Sequence, residues 1–285
     1  MILGPEPEEE VLRNPVDLQE VEARREFLAD RADVRADRAP ASSFTDVLGT
    51  SYPIPEWLIT EEYVDEEQGT IKSGKEASVT LIERVSGDRR NLLAAKTYVQ
   101  NSFRGDSIYG EGRKIRSGRE KKAIEQNTGL GRRLARGRWS WTEWDALRTL
   151  WVEGVRVPYP VSFTGRLVME FVGDETRAAP RVIDLRGLGH DEAAEICEQV
   201  FVQLRKMAAK TIVHGDLSAY NVLWWKQQVW IIDFPQAVDI ALNPHAVELL
   251  QRDIANVCNF FRKFKVRRDA DAELALALGE IYAQK

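Results

Sequence analysis

Histidine, methionine and cysteine are scarce, at three, three and two residues in a chain of 285. The two cysteines, Cys197 and Cys258, stand far apart, with no CxxC pair and no histidine beside either. That spacing excludes a zinc ribbon or a dithiol redox motif and leaves buried free thiols as the reading. No apolar run approaches the roughly 18 residues needed to cross a bilayer. The start from Pro5 to Glu10 is acidic and proline-containing, without the basic-then-apolar layout of a secretory leader. A cytoplasmic protein that does not contact membrane is expected. There is no internal repeat, and no G-x-G-x-x-G run to cradle phosphates.

What is present is enough apolar residue, 44% of the chain, to bury one sizeable core or two small lobes sharing a cleft. The net charge of −5 is unevenly spread. Residues 1–50 hold six Arg against twelve Asp and Glu, whereas residues 101–138 hold eleven Lys and Arg against four acids. The acidic first 50 residues carry few large apolar positions and read as a flexible extension, with a frayed charged helix at Val21 to Arg38. The basic stretch is either a solvated face or a polyanion-binding insertion.

From Tyr52 the composition changes, and Ile54, Pro55, Trp57, Leu58 and Ile59 look like chain docking onto a core. Short β-type runs follow at Val79–Ile82, Leu92–Val99, Val161–Phe163 and Leu167–Phe171. Between the second and third, Trp144, Leu147, Leu150 and Trp151 form one helical stripe over Trp141–Val152, expected to pack on that sheet. Gly189–Lys210 is the clearest helix, with Asp191 as its N-cap and Ile196, Val200, Leu204 and Met207 on one face. A hairpin, Val222–Trp225 and Val229–Ile232, precedes a later helix carrying Leu250, Ile254, Val257, Phe261 and Phe264. The order predicts an α+β, two-lobed fold: a small β-rich lobe with one main helix over 51–172, and a reduced α-helical lobe over 173–285.

The chemistry concentrates in His214-Gly215-Asp216-Leu217-Ser218-Ala219-Tyr220-Asn221 and in the strand end Ile231-Ile232-Asp233. A loop after a helix presents a carboxylate, Asp216, and an amide, Asn221, and the hairpin returns a second carboxylate, Asp233. Phosphoryl transfer needs such a set: hard oxygen ligands for a Mg²⁺ ion bridging phosphates, and a separate carboxylate for the attacking hydroxyl. If Asp216 and Asn221 were only turn residues and Asp233 a strand-end cap, the H-x-D-x-x-x-x-N spacing would be left unexplained. Upstream, Lys96 in Leu93-Ala94-Ala95-Lys96 holds the place of a phosphate-pairing strand lysine, and Glu143 at the head of the helical stripe is its natural partner. Surface Lys and solvated Glu are the plain alternatives. Lys72-Ser73-Gly74-Lys75-Glu76-Ala77-Ser78-Val79 stands where a glycine-rich loop would be; with one glycine, its backbone approaches phosphate less closely, and Ser73, Lys75 and Ser78 offer side-chain donors instead.

Together Ser73-Gly74-Lys75-Glu76-Ala77, Glu143-Trp144-Asp145-Ala146-Leu147, Val157-Pro158-Tyr159-Pro160, Leu167 to Gly173, Leu217 to Asn221, Ile232 to Gln236 and Arg252 to Val257 resemble the RIO kinases, over about Pro55 to Phe264. The resemblance implies a serine/threonine protein kinase or ATPase with autophosphorylation. It implies Asp216 as catalytic aspartate, Asn221 and Asp233 as ligands of Mg²⁺ (or Mn²⁺), and Lys96 with Glu143 as the phosphate-positioning pair. It further implies that Ser73, Gly74, Lys75 and Ser78 line the ATP triphosphate and that Glu170 to Val172 form the adenine-binding hinge. Asn101 to Arg138, with Arg104, Tyr109, Arg113 and Ser117, resembles the family's mobile insertion, and a ribosomal or RNA partner is implied through it. A small-molecule phosphotransferase of the aminoglycoside or choline kinase type shares H-G-D-x-x-x-x-N, and an ATP-switched assembly factor would carry the same residues. Two features depart from ordinary protein kinases. Gly215 follows His214 where many of them have Arg, and Phe234-Pro235-Gln236 replaces D-F-G's glycine with no A-P-E downstream, which predicts no phosphorylation-gated activation loop.

Overall fold

In the computed structural model residues 12–13, 43–45, 51–53, 57–74, 77–98, 142–163 and 166–283 are described. The expected helix at Val21 to Arg38 and the basic insertion 101–138 lie outside them. Among the described residues no helix is long and apolar enough to cross a membrane.

The first lobe is an antiparallel sheet of β4 (Val64–Ser73), β5 (Ala77–Ser86), β6 (Arg89–Tyr98), β7 (Pro160–Phe163) and β8 (Leu167–Glu170), with the two-residue β1 (Leu12–Arg13) at its edge; the order is β1-β4-β5-β6-β8-β7, and β2 (Ser43–Thr45) and β3 (Ser51–Pro53) form a separate antiparallel pair. Period-2 alternation assigns its faces. Ile82, Leu93, Ala95, Val161 and Val168 bury on one side against Trp57 and Leu58 of a one-turn helix, α1 (Trp57–Thr60). Arg84 on β5 ties that turn down, donating to both oxygens of Asp65 on β4 at 2.7 and 2.8 Å and to the Leu58 carbonyl at 2.8 Å. The pair is buried at both ends, so losing one partner would strand a charge. Sequence periodicity misses β4 altogether: eight of its ten residues are exposed and mostly polar, and only pairing with β5 makes it a strand.

Helix α2 (142–152) points Trp144, Leu147 and Leu150 into the large core, which also takes in Leu167 of β8 and the second lobe's helices. It is therefore a seam between the lobes as well as a cover for the sheet. The second lobe is α3 (His190–Ala209), α4 (Ala246–Arg262) and α5 (Ala270–Tyr282), with the hairpin β10 (Val222–Trp225) and β11 (Gln228–Ile231) and the short pair β9 (Ile212–Val213) and β12 (Val238–Asp239). The expected stripes hold: Ile196, Val200, Leu204 and Met207 of α3 and Leu250, Ile254, Val257 and Phe261 of α4 are buried. Two expectations need correction. Gly189, not Asp191, caps α3, and Asp191 sits in the first turn, where a carboxylate suits the helix dipole. The later helix, expected around Leu250 to Phe264, begins at Ala246 and ends at Arg262, before a turn with Lys265 at φ +65°. A further helix, α5, follows, capped by Asp269, whose side chain accepts from the Asp271 and Ala272 amides. Arg205 and Arg268 close on its buried Glu273 at 2.9 and 3.1 Å, pinning α5 to α3.

Candidate active site

The centre of the cleft is a cation between two carboxylates. Lys96 leaves β6 and places its Nζ 2.9 Å from Glu143 Oε1 and 2.5 Å from Asp233 Oδ1. Glu143 comes from the first turn of α2 and is 1% exposed, while Asp233 follows β11. Three elements far apart in sequence thus meet at one ammonium. Burial works against the charge on Lys96, but Asp233 and Glu143 outweigh it and hold its pKa well above the usual range. Burial likewise opposes ionisation of Asp233, and Lys96 overcomes it, so the carboxyl stays ionised below its ordinary range. Glu143 makes two further bonds: its Oε1 accepts the Phe234 amide at 3.2 Å and its Oε2 accepts the Tyr98 hydroxyl. One buried carboxylate therefore fixes the strand lysine and the backbone just past Asp233 together.

The loop carrying Asp216 is held from beneath. Asp253 of α4, 1% exposed, accepts the Gly215 amide at 2.8 Å and the Leu217 amide at 2.9 Å. Asn256 donates to the Leu217 carbonyl at 3.2 Å and Arg252 to the Gly215 carbonyl. Burial pushes the Asp253 carboxyl up to about 7 against the two amides that favour its ionised form. His214 is buried with its Nε2 3.0 Å from the Ile232 carbonyl, and burial depresses its pKa to about 4, so it is neutral and structural. Its ring lies against Phe234, centroids 4.6 Å apart. Gly215 has φ +82°, and a Cβ there would fall 2.6 Å from the Gln236 carbonyl oxygen. Glycine stands here, where Arg is usual in kinases, because the segment after Asp233 packs directly on it.

Asn221 donates through Nδ2 to the Asp216 carbonyl at 2.8 Å, which orients the side chain and leaves its oxygen as the atom able to meet a cation. Asp233 holds φ +73°, a left-handed conformation uncommon for a residue other than glycine, and its side chain is one-third exposed, toward the cleft. These two hard oxygen donors fit a divalent cation that takes its remaining ligands from phosphate and water, the habit of Mg²⁺. Among the described residues no cluster of three or more carboxylates, imidazoles or thiols offers a closed metal cage.

A RIO domain model matches residues 91–274. The chain belongs to the RIO family. It is 32% identical over 228 residues to the RIO-type serine/threonine-protein kinase Rio1 of Haloferax volcanii, covering 78% of this chain and 72% of that one. Its identity to the Thermoplasma acidophilum protein of the same description is 40% over 134 residues, 47% of this chain and 68% of the relative. Human serine/threonine-protein kinase RIO1 matches at 29% over 213 residues, 73% of this chain but 35% of the human protein.

The other residues expected of a RIO site are placed unevenly. Ser73 and Gly74 are exposed at the end of β4, Ser78 is half-buried on β5, and the hairpin between them is closed by the Gly74 amide bonding the Ala77 carbonyl at 3.0 Å; Lys75 lies outside the described residues. Glu170 ends β8, where its amide reaches the Tyr159 carbonyl at 2.8 Å and its Oε2 accepts the Tyr159 amide at 3.2 Å. Burial raises the Glu170 carboxyl to about 7. Val172 packs with Ala179 and Trp230, beside Leu223 and Trp225. Reading the site residues from sequence missed Tyr98 and Asp253. A signal existed for each: Tyr98 is two residues past Lys96 and so shares its sheet face, and Asp253 is a carboxylate interrupting the apolar stripe of α4.

Proposed function

We propose that this chain binds ATP with Mg²⁺ in the cleft and transfers the γ-phosphate to a serine or threonine hydroxyl of a protein, itself included, or to water. The observation that supports this most is Lys96, held by Glu143 and touching Asp233, because that geometry aims a cation at a phosphate while keeping a metal-binding carboxylate ionised beside it. Asn221 and Asp233 would hold the metal, with Mn²⁺ as a substitute; when bound, it supplies positive charge against the phosphate oxygens. Asp216 orients the attacking hydroxyl and takes its proton as the new P–O bond forms and ADP leaves. Ser73, Gly74, Lys75 and Ser78 face the triphosphate, and the Glu170 to Val172 backbone meets adenine. In this reading residues 51–172 and 173–285 are the two lobes, 1–50 an extension, and 101–138 an insertion through which RNA or a ribosomal partner is met in the cytoplasm.

The test is a single-turnover assay with ATP labelled at the γ-phosphate, following label into protein and into free phosphate. Wild-type protein should release or transfer label only with Mg²⁺ or Mn²⁺. Asp216→Ala should lower the rate by about 10³-fold or more while ATP affinity stays within a few-fold. Near-normal turnover in that variant would make Asp216 structural and end the reading.

A further inference from the structure

Among the described residues, the cation at the centre of the cleft is set against carboxylates, and a bound Mg²⁺ would offset only part of a triphosphate's charge. Lys96 faces two carboxylates, Glu143 and Asp233, yet the ligand proposed for it carries up to four negative charges. The sheet places a second cation over the same ground. In the ladder Lys72 of β4 is paired with Val79 of β5, and Val79 with Lys96 of β6. Directly opposed residues in antiparallel strands point to the same face. Lys72, Val79 and Lys96 therefore form one row across the roof of the cleft, with Lys72 about 10 Å from Lys96 at two interstrand spacings. The opposite face is occupied by Ile82, Leu93 and Ala95 packed on α1.

The placement depends on a local irregularity. The β4–β5 register shifts between Thr70 and Lys72, and a shift of one residue moves a side chain from one face to the other. Without that bulge Lys72 would point away from the site. A further observation agrees with the ladder. Lys72 itself is exposed and makes no ion pair among the described residues. A lysine placed only for solubility would serve equally on either face; this one lies on the face that carries the reacting groups.

We propose that Lys72 is a second phosphate-binding cation, whose ammonium contacts the outer phosphate oxygens of a nucleoside di- or triphosphate seated under Lys96. It rests on the ATP reading above. A compact ammonium on a flexible stem suits this role, since it can follow phosphates that shift between bound states.

The experiment is equilibrium binding of ATP, ADP and adenosine, each with Mg²⁺, to wild-type protein and to Lys72→Met and Lys72→Arg. Loss of one charge-assisted contact predicts ATP affinity about tenfold weaker in Lys72→Met, with ADP weakened in the same direction and adenosine unchanged. Lys72→Arg should stay within about twofold of wild type for all three, because charge is retained. If wild-type protein prefers ATP to adenosine and Lys72→Met keeps that preference in full, the role of Lys72 is overturned while the ATP reading stands. If wild-type protein binds adenosine and ATP equally, the ATP reading falls and this one with it. A loss of adenosine binding in Lys72→Met equal to the loss of ATP binding would also overturn the assignment, because the effect would then not lie at the phosphates.

Discussion

The floor and the roof of the cleft are built differently. The floor is the Asp216 loop, stapled to α4 by Asp253 through two amides, by Asn256 and by Arg252, over a core in which Leu217, Ile254 and Phe234 are almost fully buried. The roof's leading edge is the β4–β5 hairpin, exposed along β4 from Glu66 and carrying the Gly74 to Ala77 bond at its end. In the proposed reading, the groups assigned to the reacting hydroxyl are preorganised, which costs nothing further at the moment of reaction. The groups assigned to the nucleotide sit on the exposed hairpin, where a ligand can enter and leave. Lys96 joins the two: it belongs to the roof by strand and to the floor by its bond to Asp233.

The largest effect should come from breaking the floor. Asp253→Ala leaves two buried amides without their acceptor and is expected to cost about 2–4 kcal/mol of stability, read as a lowered denaturant midpoint, together with loss of turnover. A variant as stable and active as wild type would show that the floor is held elsewhere. Next is the junction. Asp233→Asn should weaken ATP binding by about tenfold or more in Mg²⁺ and far less without the ion; equal affinity for ATP with and without Mg²⁺ in wild-type protein would refute the assignment of the metal ligands.

Tyr98→Phe is a smaller probe of the roof. It removes one donor from Glu143 and keeps the ring, so KM for ATP should rise about three- to tenfold with thermal stability little changed. An unchanged KM would leave Lys96 sufficient to position Glu143 alone. The smallest effect is one of pH. The Glu170 carboxyl is raised from its ordinary range to about 7, so the stability it contributes is fully present below about pH 4.5 and is lost as pH rises through 7. Glu170→Gln should therefore flatten the fall in stability between pH 5 and 8, measured by denaturation at each pH. His214 acts in the opposite direction: its depressed pKa of about 4 means stability is lost as pH falls from the ordinary histidine range through 4. Identical pH slopes in wild-type and Glu170→Gln protein would show that burial does not raise the Glu170 carboxyl.

The sequence by itself determined the chemistry and the long helices. The spacing of His214, Asp216, Asn221 and Asp233 is local, and the stripes of α3 and α4 repeat with helical period, so both could be read without contacts. Lys96 and Glu143 could be paired only by analogy, since 47 residues separate them. Tertiary structure decided the rest, because what it added depends on neighbours distant in the chain. Polar β4 becomes a strand only against β5. Asp253 becomes an anchor only beneath Gly215, and Gly215 is required only because Gln236 lies 2.6 Å from where a Cβ would be. The face on which Lys72 stands follows from a bulge in the ladder, and period-2 reasoning on the sequence has no means to count the extra residue.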